Sequence, residues 1–521
     1  MAEAALKHPL SPSSADKIKS IESLRAVLAE HRRRSSEKIV LAHGTFDLFH
    51  VGHLRHLEAA RREGDKLIVT VTADRFVNKG PDRPVFPAQL RAEMLAALEC
   101  VDYVAVSEEP TSIAVINALK PDVYVKGGEY ANEAADITGN ITRERLAVEN
   151  HGGKIAFTDD LTFSSSNLIN RHLLPRGPEI QDFLEGIRSD DLMAQLQELV
   201  DRVAGYKVLM IGDTIIDQYD YVTPLGKPPK ETLIATRHES SESFAGGIIA
   251  AANHIASFCR EVEVVTMVGG NDDFSGLITD ATKPNVRLSV LKREGSPTTR
   301  KIRYVESAYT RKLFEVYHMN DLPITGSDEA WMIEQIAAKI AEADVVVATD
   351  FGHGLITAPM IKLMTERARF LAVNTQTNSA NHGFNLITKY PRADYICIDA
   401  PEARLAVSSK HADIADIVSK QLPDLVDCPN IVVTHGRNGC MAFNQEQGLS
   451  RVPALARSVL DTIGAGDAFL AVTAPLVAAG GRLDHVALLG NAAGAIKVGI
   501  LGHRAAVERV NLLRFVTSLL K

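Results

Sequence analysis

Short apolar runs and longer amphipathic segments alternate along this chain in two series, separated by a stretch with no strand signal. This alternation constrains the fold most, because a strand, a crossover helix and a second strand pair in parallel. In the first series the runs "KIVLAH", "DKLIVTVTA", "DYVAVS", "PDVYVKGG" and "KIAFT" read as strands. "VGHLRHLEAARREG", "PAQLRAEMLAALECV", "TSIAVINALK" and "ITRERLAVENHGG" read as the helices between them. The stretch 171–206 reads as a linker followed by amphipathic helix. The second series opens at "KVLMIGD" and runs through "VEVVTMVGG", "ADVVVATDFG", "RFLAVNTQ", "ADYICIDA" and "NIVVTHG". The pattern predicts a tail and helix over 1–35, an α/β domain over 36–174, a linker helix over 175–204 and a second α/β domain over 205–521. Both domains are expected to be doubly wound on parallel sheets, at ordinary domain sizes. No internal repeat relates them.

Composition narrows the function classes. A formal net charge of -8 argues against a general nucleic-acid binder. No apolar run reaches membrane-spanning length, and "MAEAALKHPLSPSSADK" lacks the apolar core of a signal peptide. The expectation is a cytoplasmic enzyme of small molecules, with no membrane or nucleic-acid partner. The five cysteines, Cys100, Cys259, Cys397, Cys428 and Cys440, stand far apart without metal-type pairing and read as reduced, mostly buried thiols.

Two glycine turns carry the chemistry. In "HGTFDLFHVGH" an apolar strand ends at Gly44-Thr45, and a helix begins near His53. Ligands of parallel sheets bind at such strand ends, where backbone N–H groups and a helix N-terminus favour an anion. His50 and His53 can face one phosphate and stabilise charge that develops in a transition state. The turn has no evident nucleophile, which suits direct attack by a substrate phosphate. The plain alternative for an isolated H-x-x-H is that His53 caps a helix and His50 packs in a loop. In "DTIGAGDAF", Gly464, Ala465 and Gly466 can present successive N–H groups to a transferring phosphoryl, and Asp467 can take a proton from a hydroxyl. A capping aspartate after a glycine turn is the plain alternative there.

The longer patterns around both turns carry resemblances. G-T-F-D-x-x-H-x-G-H resembles the nucleotidyltransferase superfamily signature. "GDKLIVTVTAD", "RPVFPAQLRAEMLAALECVDYV", "PDVYVKGGEY" and "FSSSNLI" resemble successive blocks of the adenylyltransferase half of the bifunctional heptose-phosphate kinase/adenylyltransferase family, and also the glycerol-phosphate and ethanolamine-phosphate cytidylyltransferases. The resemblance implies a Rossmann-like domain in which Gly44, Thr45 and Phe46 line the nucleotide phosphates. It implies further contacts from Lys79, Arg91, Lys126, Gly127, Gly128, Glu129, Ser164, Ser165 and Ser166.

D-T-x-G-A-G-D-x-F resembles the signature of ribokinase-type, or PfkB, carbohydrate kinases. "VLMIGDTIIDQY" and "FAGGIIAAANHIA" are similar to the family's acceptor blocks, which implies sugar contacts at Asp213, Asp217, Gly246, Gly247 and Asn253. "IVVTHGRNGCMAF" and "LGNAAGA" imply nucleotide contacts at Thr434, Gly436, Gly439 and Asn491. The β-rich pieces 218–237 and 300–317 resemble the family's lid, which implies a homo-oligomer, a dimer through that lid. Three blocks depart from the pattern. Asp399 stands where asparagine is expected before Glu402, the residue implied to reach Mg²⁺ through water. "GGIIAAANHIA" differs from the tighter glycine helix, and "VNTQTNSANHGFN" replaces a "DPK"-type segment.

The pair of domains implies synthesis of a nucleotide-activated sugar. A kinase would phosphorylate an anomeric hydroxyl with ATP, and a transferase would join the sugar 1-phosphate to NMP from ATP or CTP. Mg²⁺ is the implied cofactor. The order here, transferase first, reads as the reverse of the bifunctional heptose family's. The alternative is a transferase with a kinase-like regulatory or oligomerisation module.

Overall fold

The computed structural model describes residues 11–34, 36–77, 83–130, 140–158, 177–189, 191–227, 233–456, 458–520. The chain divides into two compact units, Met1–Gly177 with Leu513–Lys521, and Pro178–Leu512. Among the described residues, no helix is long and apolar enough to cross a membrane.

The first unit is built on five parallel strands, β1 (Ile39–Gly44), β2 (Lys66–Thr72), β3 (Tyr103–Ser107), β4 (Val123–Gly127) and β5 (Lys154–Thr158), in the order β3-β2-β1-β4-β5. The five expected runs are these five strands. They are near-continuous in apolar residues because helices cover both faces. The order reverses at β1, so its carboxyl end opens where β1 parts β2 from β4. The helix expected before β1 packs into this domain. Helix Ile21–Arg34 buries Leu24 and Leu28 fully, in one core with Val115, Ile116 and Leu119 of helix Ile113–Leu119.

In the second unit, β6 (Lys207–Gly212), β9 (Glu261–Gly269), β10 (Val286–Arg293), β13 (Val345–Asp350), β14 (Leu371–Thr375), β15 (Tyr395–Asp399), β16 (Asn430–Thr434), β17 (Cys440–Asn444) and β18 (Gly448–Val452) form one sheet. Its order is β10-β9-β6-β13-β14-β15-β16-β17-β18. The strands from β10 to β16 in this order are parallel, and β17 and β18 turn back antiparallel. The lid is a separate sheet of β7 (Thr214–Gly226), β8 (Ala235–Gly247), β11 (Arg300–Glu306) and β12 (Arg311–His318), ordered β12-β11-β7-β8. It contains described strand residues of both β-rich pieces.

Two boundaries differ from the sequence expectation. The linker region forms helices Pro178–Ile187 and Leu192–Arg202, and the second buries Leu192, Leu196, Leu199 and Val200 within this unit. Leu199 packs so closely on Gly481 that a Cβ there would stand 2.7 Å from it. The Gly246–Gly247 pair ends β8 instead of lying in a helix, and Gly247 (φ 56) caps helix Ile248–Ala256. The five cysteines are free thiols, four of them buried.

Candidate functional sites

At the end of β1 the chain turns through Phe46 (φ 48) and Leu48 (φ 51), left-handed positions that side chains rarely adopt. Three contacts hold this turn. The Phe46 ring lies over Gly44, where a Cβ would stand 3.1 Å away. The buried Asp47 carboxylate accepts from Val85 N (2.9 Å) and Phe86 N (3.3 Å) and pairs with Arg83. Arg91, fully buried, donates to the carbonyls of Thr45, Thr72 and Phe86 and pairs with Asp74. Arg91 was expected to contact nucleotide. Instead its guanidinium is spent on backbone oxygens and shapes the turn from below.

His50 caps helix Val51–Arg62, its Nδ1 accepting from Gly52 N at 3.1 Å. In the neutral ring this assigns the proton to Nε2. The His53 ring stacks on it, with centroids 4.0 Å apart and planes at 21°. Phe46 and Phe49 flank His53 at 5.3 and 5.6 Å. The two histidines thus sit together beside the glycine turn at a helix N-terminus.

Lys126 ends near this turn on β4 but is paired with Glu144 at 2.9 Å and lies over the Tyr130 ring. Glu144 also accepts from Ser112, which accepts from Tyr124. Gly127 closes β4, and Gly128 and Glu129 lie in the 3-10 turn Gly128–Tyr130. The Glu129 side chain, Lys79, Ser164, Ser165 and Ser166 lie outside the described residues. His43 and His56 were not singled out by sequence. His43 bonds Thr70 (2.9 Å), and burial, with Lys126 nearby, lowers its pKa to about 3. His56 bonds Thr158 at 2.8 Å. Its spacing of three from His53 was the available signal.

In the second unit, Gly464 (φ 74) caps helix Ala465–Ala478, placing Ala465, Gly466 and Asp467 in its first turn. Asp467 is buried and receives a hydrogen bond from Gln376 Nε2 at 2.6 Å. Burial raises its pKa, opposed by His503. Asp217, on β7, pairs with Arg303 and lies 3.0 Å from His503 Nε2. Burial alone would raise the Asp217 pKa, but His503 and Arg303 outweigh it and hold the carboxyl far below the usual range. Gly246 must be glycine, because a Cβ would fall 1.9 Å from Asp217 Oδ2. Asp213, between β6 and β7, is buried with neither carboxylate oxygen well hydrogen-bonded. Burial and then Asp350 push its pKa up to about 7, partly offset by the His353 backbone N–H.

The first aspartate of the turn, Asp461, ties the lid to it. It accepts from Tyr219 (2.7 Å, β7), Lys312 (2.7 Å, β12) and Gly502 N (2.9 Å). Burial would raise its pKa, yet these donors bring it to about 2. Lys497, fully buried, donates to Ile463 O (2.7 Å) and Gly502 O (2.8 Å) behind the turn.

Two expected ligands of this site have other partners. Asn253 bonds Ala281 O and Lys283 N, fastening its helix to the end of helix Ser275–Ala281 instead of reaching the acceptor cluster. Glu402 and Asp399 form a capping box on helix Ala400–Ala406. Glu402 accepts from Asp399 N (2.7 Å) and Thr377 N (2.9 Å). Burial raises its pKa to about 7. Asp399 thus serves as an N-cap, a role asparagine fills equally well. No group of three or more candidate metal ligands occurs among the described residues.

Thr434 ends β16, and Gly436 (φ 51) and Gly439 (φ 83) make the turn into β17. A Cβ on Gly439 would stand 2.0 Å from Val452 O, the carbonyl to which Asn491 also donates at 3.3 Å. Thr434, Gly439 and Asn491 are thus gathered around the β16–β17–β18 end of the sheet.

The pfkB family carbohydrate kinase model matches residues 206–509, more than half of the chain. The chain belongs to this family. The pfkB region is preceded by a cytidylyltransferase-like match over residues 41–172. The bifunctional protein HldE of Syntrophotalea carbinolica is 42% identical over 174 residues, covering 33% of this pfkB-family chain and 34% of that protein. HldE of Methylobacillus flagellatus is 41% identical over 172 residues, 32% and 34% of the two chains. This chain thus spans about a third of the curated relatives it matches. The Arabidopsis thaliana ribokinase structure covers 61% of the pfkB-family chain and 99% of its own, at 18% identity and a TM-score of 0.47.

Proposed function

We propose that this protein makes a nucleotide-activated sugar in two steps at two sites. The kinase site phosphorylates the anomeric hydroxyl of a sugar or sugar phosphate of the heptose type with ATP. The transferase site joins the sugar 1-phosphate to NMP from ATP or CTP and releases pyrophosphate. The observation that carries this reading is the Asp217–His503–Gly464 contact. It brings an acceptor-type carboxylate against the glycine turn whose helix carries Asp467 in its first turn.

The roles follow from chemistry. Asp217, kept ionised, accepts from acceptor hydroxyls. Asp467 takes the hydroxyl proton as the oxygen attacks the γ-phosphorus. The turn N–H groups hold the transferring phosphoryl. In the other unit, a sugar phosphate oxygen attacks the α-phosphorus, and His50 and His53 stabilise the charge that passes to pyrophosphate. Mg²⁺ enters bound to the nucleotide, as part of that substrate. Thr434, Gly436 and Asn491 border the proposed nucleotide side of the kinase. The lid's outer face supports a homodimer. Tyr304 stacks on Phe314 there at 4.6 Å, and Phe314 and Val316 are exposed.

The test is incubation of pure protein with candidate sugars, sugar phosphates and each nucleoside triphosphate, with mass detection. The reading requires a sugar 1-phosphate and then a nucleotide sugar. Sugar 1-phosphate consumption without any sugar-dependent ATP use would leave the kinase half unsupported.

A further inference from the structure

His503 lies in neither glycine turn, yet the loop 498–508 is built to hold it. Gly502 N donates to Asp461 (2.9 Å), and Gly502 O accepts from Lys497 (2.8 Å). Arg504 pairs with Glu242 (2.7 Å), and Val507 N donates to His254 Nδ1 (2.9 Å). The His503 side chain is 6% exposed. Its ring is held between two glycines. On one side, a Cβ on Gly246 would stand 3.0 Å from Nε2. On the other, a Cβ on Gly464 would stand 2.8 Å from Cε1. The ring therefore spans from the acceptor-side glycine to the phosphoryl-side glycine, bonded to Asp217 at 3.0 Å on the way. Its other nitrogen, Nδ1, is buried with no hydrogen-bond partner among the described residues. A buried imidazole nitrogen left unbonded is costly unless the site uses it.

Resting on the kinase reading above, we infer that His503 is a positioning residue for phosphoryl transfer. It locks the Asp217 carboxylate to the Gly464 turn and so sets the separation of acceptor hydroxyl and transferring phosphoryl. A side chain that only filled the gap would need no donor toward Asp217. The charged and titratable groups around it are Asp217, Arg303, Asp467, Lys497 and His254. Displacement of reacting groups by about 1 Å can cost about a hundredfold in rate.

Three variants test this: His503→Ala, His503→Leu, which fills space without a donor, and His503→Gln, which restores a donor toward Asp217. Melting curves of each establish folding. The expected result is a fall of about a hundredfold in acceptor-phosphorylation kcat for Ala and Leu, with the KM for ATP within about twofold. Gln should recover at least about tenfold of the loss. Equal recovery by Leu and Gln, or an Ala variant within about threefold of wild type, overturns the inference. The two readings fail separately. If Asp467→Asn abolishes phosphorylation and His503→Ala does not, the kinase reading stands and the His503 inference falls. If wild type phosphorylates no acceptor, both fall.

Discussion

Gln376 Nε2 donates to Asp467 Oδ1 across 2.6 Å, so the proposed base is oriented by an amide from the 374–385 segment. This segment is one of the blocks that depart from the kinase pattern, and it is firmly anchored. Asn381 and Asn385 donate to the carbonyls of Phe351 and Asp350. The donor from Gln376 favours the ionised base, against the burial that raises its pKa. If Asp467 is the base, as proposed, kinase turnover needs it ionised and should fall as pH is lowered. In Gln376→Leu the acid limb of kcat should move to higher pH. Gln376→Glu should lower turnover further, through like charge. pH–rate profiles of the three proteins check this, and an unmoved acid limb in the Leu variant would remove Gln376 from the account.

Asp213 should show a cost in stability for its role. Its folded pKa of about 7 stands above the ordinary 3.8 of the unfolded chain. Between those values the folded state binds the extra proton, so stability falls as pH rises through this window. Asp213→Asn removes the cost. Its melting temperature should exceed that of wild type by a few degrees at pH 8 and by less at pH 5. Its KM for the acceptor should rise. Equal melting shifts at both pH values would contradict the linkage.

The strands were legible because buried parallel strands are continuous apolar runs, and both glycine turns were legible because their spacing is local. What sequence could not show was direction and distance. Arg91 and Asn253 sit in helices whose periodicity does not say which partner a polar side chain finds. Arg91 turns inward to the backbone oxygens of Thr45 and Thr72, and Asn253 to Ala281. His503 carries no motif, and its carboxylate partner is 286 residues away in sequence. Glu402 kept its expected place, but its oxygens close a capping box.

His53→Ala should lower nucleotidyl transfer by about two to three orders of magnitude, the usual loss for one preorganised charge stabiliser. Kinase turnover should stay within about twofold. Parallel loss of both activities would point to misfolding and withdraw support for the His50–His53 stack as the transferase centre.

The lid surface makes an assembly prediction. Phe314→Glu places a charge on the exposed apolar face of β12. Light scattering after gel filtration should show a dimer for wild type and a monomer for the variant. A wild-type monomer at micromolar concentration would contradict lid pairing.

The most direct test of the central claim is Asp467→Asn assayed on both half-reactions. The substitution keeps the size and the Gln376 contact but removes the base, at a cost of roughly two to four orders of magnitude. The account predicts loss of sugar-dependent ATP consumption, with nucleotidyl transfer onto supplied sugar 1-phosphate intact. Undiminished phosphorylation in Asp467→Asn would contradict it.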